Sequence, residues 1–239
     1  ADERKIIHYK YPNEFGLILG KINLFFLKSY SKKANGIISV TKDLLERNEI
    51  PSYIKTINYP NGVNLYLNNI SNKRLKKIKL VFLASSFFKW NGLDQLLESV
   101  KDSKFENKYE LHIIGKIDNL EKNLYNDINK DYKNVIFHGA KQREEVFKIL
   151  STMDVGLGAF FSNENYLKTS SSLKVREYLS SGLGVFFGHY DEQIPRDFPF
   201  FKVGEPKIKD IIDFADYIRK YSRDSIRARA KSYIDKELS

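Results

Sequence analysis

The chain contains no cysteine, which excludes disulfides and thiolate metal sites and fits a reducing compartment. Its four histidines, His8, His112, His138 and His189, show no metal-ligand spacing. No Asp-x-Asp pair is present to hold a divalent ion against a diphosphate, so neither metal nor cofactor is expected. No run approaches the roughly 20 apolar residues of a spanning helix. No signal-peptide pattern and no Gly-x-Ser-x-Gly nucleophile elbow occur either. One methionine and one tryptophan, Trp90, leave the core to Ile, Leu, Val, Phe and Tyr. Trp90 reads as a core plug.

Basic residues are in excess: 40 Lys+Arg against 30 Asp+Glu, a net charge of +10 over 239 residues. That balance suits a polyanion, an anionic membrane surface or a phosphate-bearing small molecule. The basic residues form no stripe and no RNA-binding signature, so nucleic acid is not expected as a partner. Hydrophobic residues at 42% and aromatics at 14% support a packed core.

The first segment with clear periodicity is helical, from Glu14 to Lys33. Phe15, Ile18, Leu19, Ile22, Phe25 and Phe26 share one face, with Lys21, Lys28, Lys32 and Lys33 around it. Packing against a domain core is the expectation, an anionic membrane interface the alternative. After the Asn35-Gly36 turn come a strand over 37–41, a helix over 42–49 capped by Thr41, and a strand over 54–59. Residues 64–77 read as a linker. A strand–helix alternation follows. Strands are expected over 78–84, 110–114, 134–137, 155–159 and 184–187; helices over 92–101, 120–132, 143–152 and 172–181. Two more helical stretches lie in 205–239. This pattern predicts an α/β fold with a parallel sheet flanked by helices, whose ligands bind at the carboxyl ends of the strands. Ser85-Ser86, Gly115 and Gly139 fall at those ends.

The stretch Ser170-Ser171-Ser172-Leu173-Lys174-Val175-Arg176-Glu177-Tyr178-Leu179-Ser180-Ser181-Gly182 opens on N-capping serines and closes on a helix-stopping glycine. Val175, Tyr178, Leu179 and Gly182 form the buried stripe; Lys174 and Glu177 lie off it. A helix start bearing unpaired N–H groups and a lysine suits an anion, and a carboxylate one turn in suits sugar hydroxyls. A plain amphipathic helix with a Lys174–Glu177 surface pair fits the same pattern.

Taken in order, these segments resemble the retaining GT-B glycosyltransferases of the group 1 family, glycosyltransferase family 4, over about residues 35–190. The resemblance rests on Gly36–Thr41, Tyr59-Pro60-Asn61-Gly62-Val63-Asn64, Leu80–Ala84 with Trp90–Leu97, and Leu111–Gly115. Asn134–Gly139 and Ser171–Lys174 with Glu177-Tyr178-Leu179 and Gly182–Val185 complete it. It implies a complete Rossmann-like donor domain over 78–204 and a remnant of the N-terminal acceptor-side domain over 1–63. The linker would span 64–77, and helices over 205–239 would fold back toward the N-terminal part. The remaining acceptor-side segments would lie outside this chain. The implied function is cytoplasmic, metal-independent hexosyl transfer from a nucleotide-diphosphate sugar to a bacterial surface glycan or lipid-linked acceptor. Contact with the inner face of the membrane would be peripheral. A non-catalytic nucleotide- or partner-binding module and a nucleotide-sugar epimerase are the alternatives.

The resemblance also implies roles. Glu177 would hold the nucleotide ribose. Ser171, Ser172 and Leu173 would offer N–H groups to the diphosphate, with Lys174 beside the same charge. Gly115 with Lys116, and Gly139 with Ala140, would line the base and ribose side. Ser85, Ser86, Lys89 and Asn91 would border the phosphates, with Lys89 the candidate cation that steadies the leaving group. Lys89, Lys174 and Glu177 are thus the expected catalytic residues. Three positions depart from the family's pattern: Thr169 replaces its first glutamate, and Ser86 and Asn91 replace its Arg and Lys.

Overall fold

The structure, a computed structural model, describes residues 14–47, 50–64, 75–88, 91–101, 103–117, 133–160 and 169–235. The chain divides into two compact units, 1–61 with 162–171, and 62–161 with 172–239.

In the first unit, helix α1 (Glu14–Ser31) precedes strand β1 (Gly36–Ser39), helix α2 (Lys42–Arg47) and strand β2 (Lys55–Asn58). The two strands pair in parallel, Gly36 with Lys55 through Ser39 with Asn58. Thr41 caps α2 as expected, its Oγ1 accepting the Leu44 N–H at 3.4 Å. The apolar face of α1 is not packed in a core: Phe15, Ile18, Ile22, Phe25 and Phe26 are all exposed, Phe25 to 70%. A two-stranded sheet offers too little apolar surface to cover it. The Asn61 N–H and side-chain amide bond to Ser171, at Oγ (2.9 Å) and at the carbonyl (2.5 Å).

The second unit is built on strands β3 (Ile78–Ser86), β4 (Tyr109–Lys116), β5 (Val135–Gly139), β6 (Val155–Gly158), β7 (Gly184–Phe187) and β8 (Phe201–Val203). They form one parallel sheet in the order β8-β7-β6-β3-β4-β5. β6 and β7 are buried at every residue, as an inner parallel strand covered on both faces requires. Helices α3 (Leu93–Val100), α4 (Arg143–Leu150), α5 (Leu173–Ser180), α6 (Ile208–Ile218) and α7 (Arg223–Ile234) accompany them. Their buried stripes follow the 3.6-residue period. Leu93, Leu96, Leu97 and Val100 are buried on α3, and Ile208, Ile211, Ile212, Ala215 and Ile218 on α6.

β8 is not foreseen by the sequence reading. Three residues behind Phe198-Pro199-Phe200 are too short for a period-2 signal, and the strand exists because it pairs with β7. The expected helix over 120–132 and most of the linker lie outside the described residues. Arg223, in the basic C-terminal helix, is buried, and its guanidinium donates to the carbonyls of Ser151 (2.6 Å) and Leu150 (3.3 Å) at the end of α4.

Candidate functional site

In this sheet β3 lies inside, with β4 and β5 stepping to one side and β6, β7 and β8 to the other. The chain reverses direction across the sheet between β3 and β6, the place where open α/β sheets leave a crevice at their carboxyl edge. The β3–β6 ladder pairs Leu80 with Val155 through Phe82 with Leu157. At its end a side chain intervenes. The Leu83 N–H donates to Tyr178 Oη at 2.9 Å, and that hydroxyl donates to the Leu157 carbonyl at 3.0 Å. Burial pushes the Tyr178 phenol well above its ordinary range, so it stays protonated and able to donate. Gly156 makes room for the ring, since a Cβ there would lie 2.2 Å from it. A residue of its own buried face thereby anchors α5 to the sheet at the switch point.

The N-terminus of α5 carries the anion-binding potential. Ser172 occupies the N-cap position but its hydroxyl makes no capping bond. Asp191 caps instead, its Oδ2 accepting the Ser172 N–H at 3.1 Å and the Arg176 guanidinium, while Oδ1 accepts the Gln193 N–H at 3.1 Å. The Val175 N–H donates to the Ser172 carbonyl. The amides of Leu173 and Lys174 have no partner among the described residues. They are the N–H groups left for an anion.

Lys174 and Glu177, one turn apart, are both half-buried. Burial brings the Lys174 ammonium down to about 8, against the pull of Glu177. Burial pushes the Glu177 carboxyl up, opposed by the charges of Arg143 and then Lys174. Arg143 opens α4, its guanidinium 5.6 Å from the centre of the Phe147 ring. On the other flank, burial holds His189 below its ordinary value, and the nearby Lys174 charge adds to this.

The remaining expected residues separate by environment. Gly115 (φ +142°) is structural: a Cβ would stand 1.9 Å from the Ala84 carbonyl oxygen. Gly139 (φ +68°) faces open space, and Lys116 and Ala140 beyond the two glycines are exposed. Ser85 is exposed; Ser86 is half-buried and pairs with Lys116 past a bulge. Asn91 is buried and engaged in its own loop. Its Oδ1 accepts the Phe88 N–H at 2.8 Å, and its carbonyl accepts the Phe160 N–H at 3.1 Å. Ser171 belongs to the first unit, bonded to Asn61. Lys89 and Trp90 lie outside the described residues.

Tyr178, Arg143, His189 and the Arg176–Asp191 pair are not assigned site roles by the sequence. Tyr178 shows there only as part of a stripe. The others carry no local signal, because their partners are distant along the chain. Among the described residues no group of three or more His, Asp or Glu side chains converges on a metal position.

No protein-family profile and no curated sequence matches the chain. Solved structures do. A point mutant of Staphylococcus aureus TarM, in complex with fondaparinux, alpha-GlcNAc-glycerol and UDP, aligns with a TM-score of 0.67 at 17% identity. That alignment covers 91% of this chain and 44% of TarM. Sucrose-phosphate synthase from Thermosynechococcus elongatus aligns with a TM-score of 0.69 at 16% identity, covering 91% and 58%. The pneumococcal O-GlcNAc transferase GtfA, in complex with UDP and GlcNAc, gives 0.63 at 18%, covering 89% and 45%. The chain thus spans about half the length of these proteins. The mixed α/β architecture with its six-stranded parallel sheet is that of the GT-B glycosyltransferases.

Proposed function

We propose that the second unit binds the nucleoside-diphosphate half of a sugar nucleotide and serves retaining hexosyl transfer, as a glycosyltransferase of family 4 type. The observation that carries this reading is the tip of α5. Two amides without a partner among the described residues, a half-buried lysine and a carboxylate one turn further in stand at the carboxyl edge beside the β3–β6 switch point. The likeness to TarM and GtfA, both described with UDP, supports the same ligand class.

In the reaction, the bond from the sugar's anomeric carbon to the diphosphate oxygen breaks and a new one forms to an acceptor hydroxyl, which gives up its proton. Negative charge collects on the departing diphosphate. The Leu173 and Lys174 amides and the Lys174 ammonium are fixed where that charge grows, which is how preorganised donors lower such a barrier. Glu177 is suited to the two ribose hydroxyls, since an ionised carboxylate accepts two hydrogen bonds at once. Lys116 and Ala140 border the base, and Lys89 is assigned to the same diphosphate. No metal is assigned. The acceptor is proposed to be a surface glycan or its lipid-linked precursor, built on the cytoplasmic side.

Asn91 favours a second reading, binding without transfer. Its side chain braces its own loop at a position where the resemblance expects a phosphate-facing lysine. Calorimetric titration with UDP, GDP and ADP tests the primary reading: one should bind, and Lys174→Met and Glu177→Gln should each weaken it. If none of the three binds the wild-type chain, the donor-site reading is wrong. If one binds yet no sugar moves to any acceptor in the full-length protein, the second reading stands.

A further inference from the structure

Between Tyr59 and Val63 every second amide is taken. The Tyr59 N–H donates to the Ser39 carbonyl of β1 at 2.7 Å, and the Val63 N–H to the Ile234 carbonyl of α7 at 2.9 Å. Midway, the Asn61 N–H donates to Ser171 Oγ at 2.9 Å. Asn61 adds its side chain, whose Nδ2 donates to the Ser171 carbonyl at 2.5 Å. Ser171 is buried, and it is the last residue before the cap of α5.

The Ser171 carbonyl and the Ser172 N–H belong to one planar peptide group. Asn61 holds its oxygen, and Asp191 Oδ2 accepts its N–H at 3.1 Å. The plane by which the chain enters α5 is therefore gripped at both ends. In an ordinary capped helix the cap side chain orients the first turn, and in doing so it occupies one of the free amides. Here the Ser172 hydroxyl makes no capping bond, and its backbone is extended at φ −83° and ψ 126°. The first turn is aimed from outside instead, and the Leu173 and Lys174 amides stay open to a ligand.

Asparagine suits this task. Its backbone and side-chain amides both donate, and Ser171 offers a hydroxyl and a carbonyl to receive them. Alanine would keep the first bond and lose the second. Without that bond the Ser171–Ser172 plane is free to turn, and ordering it again would fall to the ligand. We infer that Asn61 is a positioning residue for the donor site: through Ser171 it sets the peptide plane that aims the Leu173 and Lys174 amides at a diphosphate. This rests on the donor-site reading above and goes beyond it, since it gives a residue more than a hundred positions upstream a share in the affinity for phosphate.

The experiment uses the whole chain and compares whichever of UDP, GDP and ADP binds with the corresponding nucleoside, which has no phosphate for the amides to hold. In Asn61→Ala the nucleoside diphosphate should bind about 5–10-fold more weakly, the worth of one hydrogen bond. The nucleoside should stay within about twofold of wild type. Equal weakening of the two ligands, or weakening of neither, overturns the inference and leaves the donor site intact. Failure of every nucleotide to bind wild type overturns both. A measurement without substitution guards against a variant that does not fold. Coupling between two sites is reciprocal, so a diphosphate that uses the α5 amides must also steady the bonds that aim them. In wild-type protein the nucleoside diphosphate should slow hydrogen exchange at Leu173, Lys174 and the Asn61 amide together, and the nucleoside should not. Slowing at Leu173 and Lys174 with Asn61 unchanged would sink the assignment.

Discussion

Arg176 and Asp191 form an ion pair with both side chains out of contact with water, and the same Asp191 carboxylate accepts the N–H of Ser172, the residue that caps α5. Fifteen residues separate them in the chain. Each removes the cost of burying the other, and together they fasten the tip of α5 to the segment after β7. Breaking one partner leaves a buried charge uncompensated. Asp191→Asn should therefore destabilise the protein by about 3–5 kcal/mol, read from urea unfolding. The double variant Arg176→Met/Asp191→Leu should lose less than the sum of the two single changes. If it loses the full sum, the pair is not coupled.

Tyr178 supplies a hydroxyl where the β3–β6 ladder stops. Tyr178→Phe would leave the Leu83 N–H and the Leu157 carbonyl without their partner. A loss of about 1–3 kcal/mol follows from orphaning buried polar groups. Faster hydrogen exchange should be confined at first to the Leu83 amide and its neighbours. Uniform acceleration over the sheet would instead mean that the ring, not the hydroxyl, sets the stability.

The two edge glycines separate cleanly. At Gly115 an added methyl meets the Ala84 carbonyl oxygen at 1.9 Å, so the β3 and β4 ends would have to part. At Gly139 no described residue comes within 4 Å of an added methyl, and the φ of +68° is what resists. Gly139→Ala should cost about 1–2 kcal/mol, the ordinary left-handed penalty, and Gly115→Ala should cost more. Thermal unfolding of both variants decides; equal costs would remove the packing argument.

These contrasts show where the sequence is informative. α5 and β7 are legible because their signals are local: a serine start, a 3.6-residue stripe, a stopping glycine and a short apolar run. The strand ends at Gly115 and Gly139 are legible as glycines, but not as different ones, since only packing tells that an added methyl would strike Ala84 at the first and no described residue at the second. Arg176 is not among the residues the sequence marks as buried, because the carboxylate that permits its burial lies fifteen residues further along the chain. His189 shows no spacing that marks it, since what sets its environment is burial and the Lys174 charge from a distant element. α1 displays the amphipathic pattern the sequence predicts, yet periodicity states only that a face is apolar, not that anything within these residues covers it.

Lys174 yields a pH test with a definite sign. In the folded chain its ammonium titrates at about 8, against 10.5 for the ordinary side chain. Burial is the main cause, so folding works against the charged form. Between these two values the unfolded chain holds more protons than the folded one, and stability of the ligand-free protein should rise with pH across that window. Below about 8 both states carry the proton and the dependence vanishes. A bound diphosphate reverses the preference, because two negative phosphates favour the ammonium. Nucleotide binding at pH 9 should therefore take up protons, seen as a dependence of the calorimetric heat on buffer ionisation enthalpy. The same titration at pH 7 should show little uptake from this group. In Lys174→Met the ligand-free fold should be more stable than wild type at pH 7, the proton uptake at pH 9 should disappear, and nucleotide affinity should fall. Retained uptake in that variant would place the titrating group elsewhere.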